Sequence, residues 1–569
     1  MAEYKTPGVY VEEISKFPPS VAGVATAIPA FIGVTSNCPS KQPIKIKSLL
    51  DFENMFGVGP KLTLDNTGKL QNHNFVLYDS IRLFYDNGGG ICYVVSIGTY
   101  EDYKQSKPQW DKQYAPALDT LKKIDEVTLL LAPDAAMLLD ASSLGSLHKL
   151  MLQQCADLGD RFAILDARKD DSLDKDMETF RNNVGNNHLS YGAAYYPFLR
   201  TNYTKDICFD EMLKIAAIKA GAEKIDQYNN YYAKTNDKTA FGVIKERLQD
   251  KKLKELNEEI KALEAEIANL KDNKEEKSKK EAEKKLKEEE RNNADGKKYN
   301  DELEKFSIHT DGKNILYLGK VINEKTFVDN AIGKEVYDKI LLEFDEIKAK
   351  KPLMAKAFAA QIEGYEEMLA ALQAQASIIP PSGAIAGIYA ANDGNKGVWQ
   401  APANVSVASV ADVTELISDK DQENMNVDAN TGKSVNAIRF FTGKGILVWG
   451  ARTLDGNSNE WRYVPVRRLF NYVEESVQKS TAWAVFQPND ANTWVKVQCQ
   501  IENFLNNLWR DGALAGSTPD KAYYVKVGLD VTMTADDINR GYLIVEIGLA
   551  AVRPAEFIVL KFSHKVQEA

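Results

Sequence analysis

The first two hundred residues alternate short apolar runs with amphipathic stretches. AIPAFIGV (Ala27–Val34), ICYVVSI (Ile91–Ile97), VTLLLA (Val127–Ala132) and FAILDA (Phe162–Ala167) each read as one buried strand, and GAAYYP (Gly192–Pro197) as a further one. Between them, NFVLYDSIRLFYDNGGG (Asn74–Gly90) has helical spacing and a glycine stop, and a second helical segment runs from about Leu139 to Leu158. Strands alternating with helices predict a mainly parallel α/β sheet. Before it stands an isolated alternating strand, Val9, Tyr10, Val11, Glu12, Glu13 and Ile14, bounded by Pro7–Gly8 and by Pro18–Pro19. Its backbone groups need partners. Either it lines an edge of its own subunit or it is donated to a neighbour.

The middle of the chain changes period. Leu253, Leu256, Ile260, Leu263, Ile267 and Leu270 recur at intervals of 3, 4, 3, 4 and 3, a heptad seam in a Glu/Lys background. The seam fades into KDNKEEKSKKEAEKKLKEEER, where Ala282 and Leu286 are the apolar residues. Two readings follow: an antiparallel coiled-coil hairpin turning near Asp272–Asn273, or one exposed charged helix with an unstructured second half. Phe306 to Ile379 is helical in pattern and stops at Pro380–Pro381, after which GAIAGIYAANDGNKGVWQAPAN (Gly383–Asn404) reads as strand and turn. Later, Gln500–Trp509 reads as an amphipathic helix burying Ile501, Phe504, Leu505 and Leu508.

Composition narrows the function. A net charge of −10 argues against wrapping nucleic acid. Five cysteines without CxxC spacing fit no closed disulfide framework and read as reduced, mostly buried thiols of a cytosolic compartment. The first residues lack a basic and apolar leader, and no apolar run is long enough to cross a bilayer, so assembly is expected in the cytoplasm.

Candidate chemistry is thin. Thr431–Ser434 spells TGKS, yet the glycine a phosphate loop needs five places before Gly432 is Val427, and a strand follows instead of a helix. This segment reads as a hairpin turn before VNAIRFF. Gly88–Gly90 lies after a helix and before a strand, the reverse of a dinucleotide fingerprint. The five histidines form no metal-ligand spacing, and there is no GxSxG elbow. Glu12–Glu13 and Glu474–Glu475 read as solvated carboxylates. No catalytic residue, metal ligand or cofactor is assigned. An enzyme would need an unrecognised α/β pocket assembled from scattered residues.

The last third is dense in Trp, Arg, Gly and Phe at fixed order. PGVYVEE (Pro7–Glu13), AFIG (Ala30–Gly33), NDGNKGVWQAPAN (Asn392–Asn404), WGARTL (Trp449–Leu454), RRLF (Arg467–Phe470), VFQPN (Val485–Asn489), LWRDGALAG (Leu508–Gly516) and RPAEFIV (Arg553–Val559) occur in sequence. Together they resemble the contractile sheath proteins of myophage tails, R-type pyocins and related injection systems. The insertion from about Thr204 to Ile379 departs from that pattern.

The resemblance implies an α/β and α+β multidomain subunit with no enzymatic activity. Its parts would be an N-terminal arm (1–22), an α/β middle domain (23–203, resuming at about 380–395), a helical insertion (204–379) with its hairpin at 240–305, a C-terminal sheath core (396–547) and a C-terminal arm (548–569). It implies hexameric rings stacked around an inner tube, with baseplate and terminal cap proteins as further partners, and no direct contact with nucleic acid or membrane. The particle would be a virion or a released extracellular device. Strand donation by β-augmentation falls to Val9–Ile14 and to Phe557–His564, which includes Phe557, Ile558, Val559, Leu560, Lys561 and Phe562, with a hinge flanked by Gly548 and Pro554. Lys496 and Arg510 become candidate tube contacts. Trp449, Trp461, Trp483 and Trp494 are expected as packing residues, and Arg452, Arg467 and Arg468 are expected to fork to carboxylates inside or between subunits. A non-contractile tail or baseplate component sharing the core is the alternative.

Overall fold

The computed structural model describes residues 21–105, 111–235, 237–270, 274–292, 299, 301–308, 315–322, 326 and 330–557. The chain divides into two compact units, one drawn from Met1–Thr63, Leu70–Asp206 and Leu372–Ala569, the other from Leu64–Lys69 and Ile207–Ala371.

The first unit begins with β1 (Pro29–Thr35), β2 (Ile44–Ile46), α1 (Leu77–Asp86), β3 (Cys92–Thr99), β4 (Leu129–Leu131), α2 (Pro133–Leu138), α3 (Ala141–Leu158), β5 (Phe162–Asp166) and β6 (Gly192–Tyr196). All seven residues of β1 are buried. Ala30, Ile32 and Val34 face one apolar cluster with Leu144, Leu147 and Met151 of α3. Phe31 faces the other, with Leu77, Ile81 and Phe84 of α1. Both faces of the sheet are therefore covered, which is why its strands read as continuous apolar runs.

The second unit contains α4 (Asp237–Asn269), α5 (Lys274–Asn292) and α6 (Ala331–Ala359). Phe241, Ile244 and Leu248 of α4 pack with Val336, Ile340 and Phe344 of α6. The helices α4 and α5 run antiparallel, joined by Glu259–Lys287 (2.9 Å), Glu264–Lys284 (2.8 Å) and Glu266–Lys280 (2.9 Å). Leu256, Ile260 and Leu263 are buried, and Ile267 and Leu270 half-buried. Leu286 is exposed, so α5 brings ion pairs and no second apolar row. Such surface pairs contribute ~0–1 kcal/mol each. The side chain of Leu253 and the turn at Asp272–Asn273 lie outside the described residues. The expectation of helix from Phe306 onward is corrected: Phe306–Ile308, Ile315–Tyr317 and Lys320–Val321 form an antiparallel three-stranded sheet. Leu318 and Gly319 both take positive φ, the geometry of a two-residue hairpin turn. Phe306 and Tyr317 then face each other across the strands at 5.0 Å.

The chain re-enters the first unit with α7 (Ser382–Lys396), where strand and turn were expected. Its small residues decide the matter. A Cβ on Gly383 would come within 2.3 Å of the Ser80 carbonyl oxygen, and one on Gly387 within 2.4 Å of that of Phe84. Glycine thus lets α7 lie directly on α1, and this close packing overrides its low helix propensity. Gly387→Val is expected to cost about 3 kcal/mol, because the obstacle is backbone. Denaturant unfolding of the full chain measures it, and an unchanged midpoint would contradict the close contact.

Beyond α7 come β7 (Val405–Ser406), β8 (Val435–Phe441), β9 (Gly445–Val448), α8 (Val464–Ser480), α9 (Ala491–Arg510), β10 (Tyr523–Val527) and β11 (Val545–Leu549). The large sheet has the order β7-β9-β8-β6-β5-β4-β1-β3-β2. It is parallel from β3 to β8, with β2, β9 and β7 antiparallel at its margins. The sheet does not stop at the expected boundary of 396: Val435 pairs with Ala194, and β8 continues the parallel series. A separate apolar cluster joins Leu469 and Val473 of α8 to Val497, Ile501, Phe504, Leu505 and Leu508 of α9 and Val525 of β10.

Candidate assembly surface

The parallel sheet changes direction between β1 and β4, where α/β folds commonly hold a ligand beyond the strand ends. Asp134, fully buried in α2, fills this crevice. It accepts backbone N–H from Val34 at 2.7 Å, Val76 at 2.6 Å and Leu77 at 2.8 Å. One internal carboxylate thus ties β1 to the start of α1. The TGKS segment forms no phosphate cradle. It follows a helix at Asp419–Asn426, not a hairpin strand, and Lys433 donates to the Arg181 carbonyl oxygen at 2.6 Å. Among the described residues, no cluster of His, Cys, Asp and Glu could hold a metal ion. No described helix is long and apolar enough to cross a membrane.

The unpartnered surface lies elsewhere. β10 and β11 pair antiparallel from Tyr523↔Leu549 to Val527↔Val545 and form a sheet of only two strands. Each keeps an edge with no strand beside it among the described residues. Next to β11 an open groove of about 1010 Å³ is walled by Val473 and Val477 of α8, Ile501 of α9, and Val545, Ile547 and Leu549 of β11. Alternate residues of β11 thus point into an apolar trough. Val485 and Phe486 stand at its rim, Phe486 fully exposed with φ +64°.

Gly548 was expected at a hinge, yet it sits inside β11 opposite Tyr524. A Cβ there would lie 2.2 Å from the Tyr524 ring, so glycine makes room for the cross-strand aromatic. The chain stays tied beyond β11. The Ala550 N–H donates to the Ala522 carbonyl oxygen (2.8 Å) and the Val552 N–H to that of Ala513 (3.2 Å). Glu556 then accepts from Arg452 Nε at 2.9 Å and Nη2 at 2.6 Å, Asn426 Nδ2 at 2.7 Å and the Tyr463 hydroxyl at 3.2 Å. Phe557 is exposed, and Val9–Ile14 and Ile558–Phe562 lie outside the described residues.

The three arginines meet carboxylates within the chain. Arg468, buried on α8, forks to Asp393 at 2.5 and 3.0 Å and donates to the Thr26 carbonyl oxygen at 2.9 Å. Arg467 donates to Asn471 at 2.8 Å and Glu474 at 3.2 Å, with its guanidinium 4.1 Å from the Trp461 ring centroid. Trp449 packs on Phe441, Trp461 on Phe470, and the indoles of Trp483 and Trp494 donate to Gln500 and Asn489. Lys496 and Arg510 are both exposed on α9. Two expectations are corrected. Glu475 is buried against Lys479, since α8 turns it toward the body of the unit. Of the five thiols, Cys92 and Cys155 are buried, Cys38 and Cys208 half-buried and Cys499 exposed. Asp393, Asn426 and Glu556 were missed as partners; the one signal was Glu556, a lone charge in the apolar run AEFIVL.

Burial alone would raise the Glu556 carboxyl, but Arg452, Asn426 and Tyr463 outweigh it and hold it below its ordinary 4.5. A depressed acid stabilises above its unfolded value and loses that contribution as pH falls through the folded one. Acidification below 4.5 is therefore expected to loosen the tail, read as faster intrinsic-corrected exchange of the Val552 amide; unchanged protection would contradict it. Burial pushes Asp134 and Asp166 up to about 7, so their contribution fades as pH rises through that value, the opposite sign. A local readout is needed for this reason.

Residues 457–565 match the family model for the phage tail sheath C-terminal domain. The chain is 24% identical over 185 residues to the tail sheath proteins of Vibrio phage KVP40 and Enterobacteria phage T4, 32% of its own length in each case. It spans about a quarter of the length of those relatives, 26% and 27%. A putative prophage major tail sheath protein of Pseudomonas aeruginosa is 26% identical over 136 residues, 24% of this chain and 34% of that one. Among solved structures, the anti-feeding prophage helical sheath in its contracted state has a TM-score of 0.54 at 24% identity, covering 99% of this chain and 100% of that one. The sheath complex of the extracellular contractile injection system PVC, also contracted, has a TM-score of 0.53 at 24% identity and covers 100% and 99%. These relatives and neighbours are all described as sheath proteins or sheath assemblies.

Proposed function

We propose that this chain, whose residues 457–565 match the family model for the phage tail sheath C-terminal domain, is a structural sheath subunit of a contractile injection machine. It polymerises as stacked hexameric rings around an inner tube, bounded by baseplate and terminal cap proteins, and its contraction drives the tube through a target envelope. The observation that carries this reading is the two-stranded sheet of β10 and β11, with no third strand beside it among the described residues and an apolar groove next to β11.

A strand from another subunit would add main-chain hydrogen bonds along β11 and bury alternate side chains in the trough. Val9–Ile14 has the alternation this needs, and the segment from Phe557 supplies the second donor. Such joints fix neighbours to one another while rings turn and approach, so the lattice shortens without dissociating. The work of contraction then comes from a metastable extended lattice and not from bound nucleotide. Lys496 and Arg510 meet the tube in this reading, and the hairpin of α4 and α5 lies outside the lattice contacts. Assembly takes place in the cytoplasm, and the finished particle is a virion or an extracellular device.

Negative-stain electron microscopy of the chain expressed with its tube protein tests this. Long hollow cylinders that shorten and widen on acid or denaturant treatment are expected. Cylinders of fixed length would instead mean a non-contractile tail component, and a monomer with no polymer would overturn the reading.

A further inference from the structure

Arg452 is almost entirely buried, four residues after the end of β9, and all three of its guanidinium nitrogens are engaged. Nε and Nη2 reach Glu556, and Nη1 donates to the carbonyl oxygens of Asn426 (3.1 Å) and Gly456 (3.3 Å). Its own N–H donates to Asn436 Oδ1 at 2.8 Å. Among the described residues, Glu556 is the one carboxylate on this guanidinium, and it comes from 104 residues further along the chain. Its remaining acceptor capacity goes to Asn426 and Tyr463. Together with the Ala550 and Val552 bonds, this fastens the chain after β11 onto its own subunit at Ala550, Val552 and Glu556. The next residue, Phe557, is 71% exposed.

We propose that the Arg452–Glu556 clamp is the pivot of the C-terminal arm, so that the donated segment begins at Phe557 and not at Gly548. The inference rests on the sheath reading. Arg452 and Glu556 act as positioning residues: they set where the arm leaves and which way it points. A bidentate fork fixes direction as well as position, which a lysine or a single hydrogen bond does not. Arm length follows. If the chain were loose from Gly548, nine more residues (548–556) would swing freely, and the effective concentration of the strand at a neighbour's groove would fall. The clamp also connects two segments that stand out in the sequence, WGARTL and RPAEFIV, as the two halves of one contact.

The test is hydrogen exchange on the full chain, followed by assembly with the tube protein. In Glu556→Gln, the Val552 amide should exchange about tenfold faster or more, the loss expected for a hydrogen bond to a charged group. Amides of α9 should be unchanged. Asn426→Ala, which leaves the fork intact, should speed Val552 less than Glu556→Gln does. Glu556→Gln should also form cylinders poorly although the subunit is folded. Unchanged Val552 exchange in Glu556→Gln would overturn the pivot, as would a loosened tail with wild-type cylinders. A wild-type chain that forms no cylinders would sink the sheath reading, and the arm with it, whatever the exchange shows.

Discussion

Replacing Arg468 with alanine is expected to destabilise the chain by about 3–5 kcal/mol, the cost of breaking a buried ion pair from one side. The guanidinium joins α8 to Asp393 near the end of α7 and to the Thr26 carbonyl oxygen, and it stacks 4.6 Å from the Tyr389 ring centroid. Its removal leaves the Asp393 carboxylate, almost fully buried, with the Thr26 hydroxyl as its remaining donor among the described residues, at 2.6 Å. Three segments far apart in sequence would lose their common fastening. Equilibrium unfolding in denaturant reads the effect; a loss under about 1 kcal/mol would place the pair among the weak surface bridges.

Phe486→Asn should do the reverse for the isolated subunit while damaging assembly. An L-residue in the left-handed region costs roughly 1–2 kcal/mol, and asparagine tolerates that region better than phenylalanine. The exposed ring returns nothing to the free subunit. Its retention makes sense if a neighbour covers the groove rim, where burying the ring would be worth about 1.5–3 kcal/mol per contact. Thermal stability of the monomer should be unchanged or slightly higher, and the critical concentration for cylinders should rise about tenfold or more. Normal assembly by Phe486→Asn would remove the rim from the interface.

The readable parts of this chain are those where burial on both faces or along one stripe writes a period into the residues. β1, β3, β5 and β6 are continuous apolar runs because helices cover both faces of their sheet. α9 is legible through Ile501, Phe504, Leu505 and Leu508. α7 was not, because its signal is an absence of side chains: Gly383 and Gly387 mean helix only beside the backbone of α1. The strand pair of β10 and β11 hid for a different reason. No third strand lies beside it among the described residues, most of its residues are half-buried or exposed, and their alternation is incomplete. The Arg452 contact was half legible, since an arginine announces a carboxylate but never says which one.

The central claim is that strands from adjacent copies complete the sheet of β10 and β11. Its most direct test is negative-stain microscopy of the chain lacking Met1–Ser15, expressed with the tube protein and compared with the full chain. The claim predicts folded, soluble subunits with no ensheathing polymer. Cylinders of normal length and number from the shortened chain would contradict it.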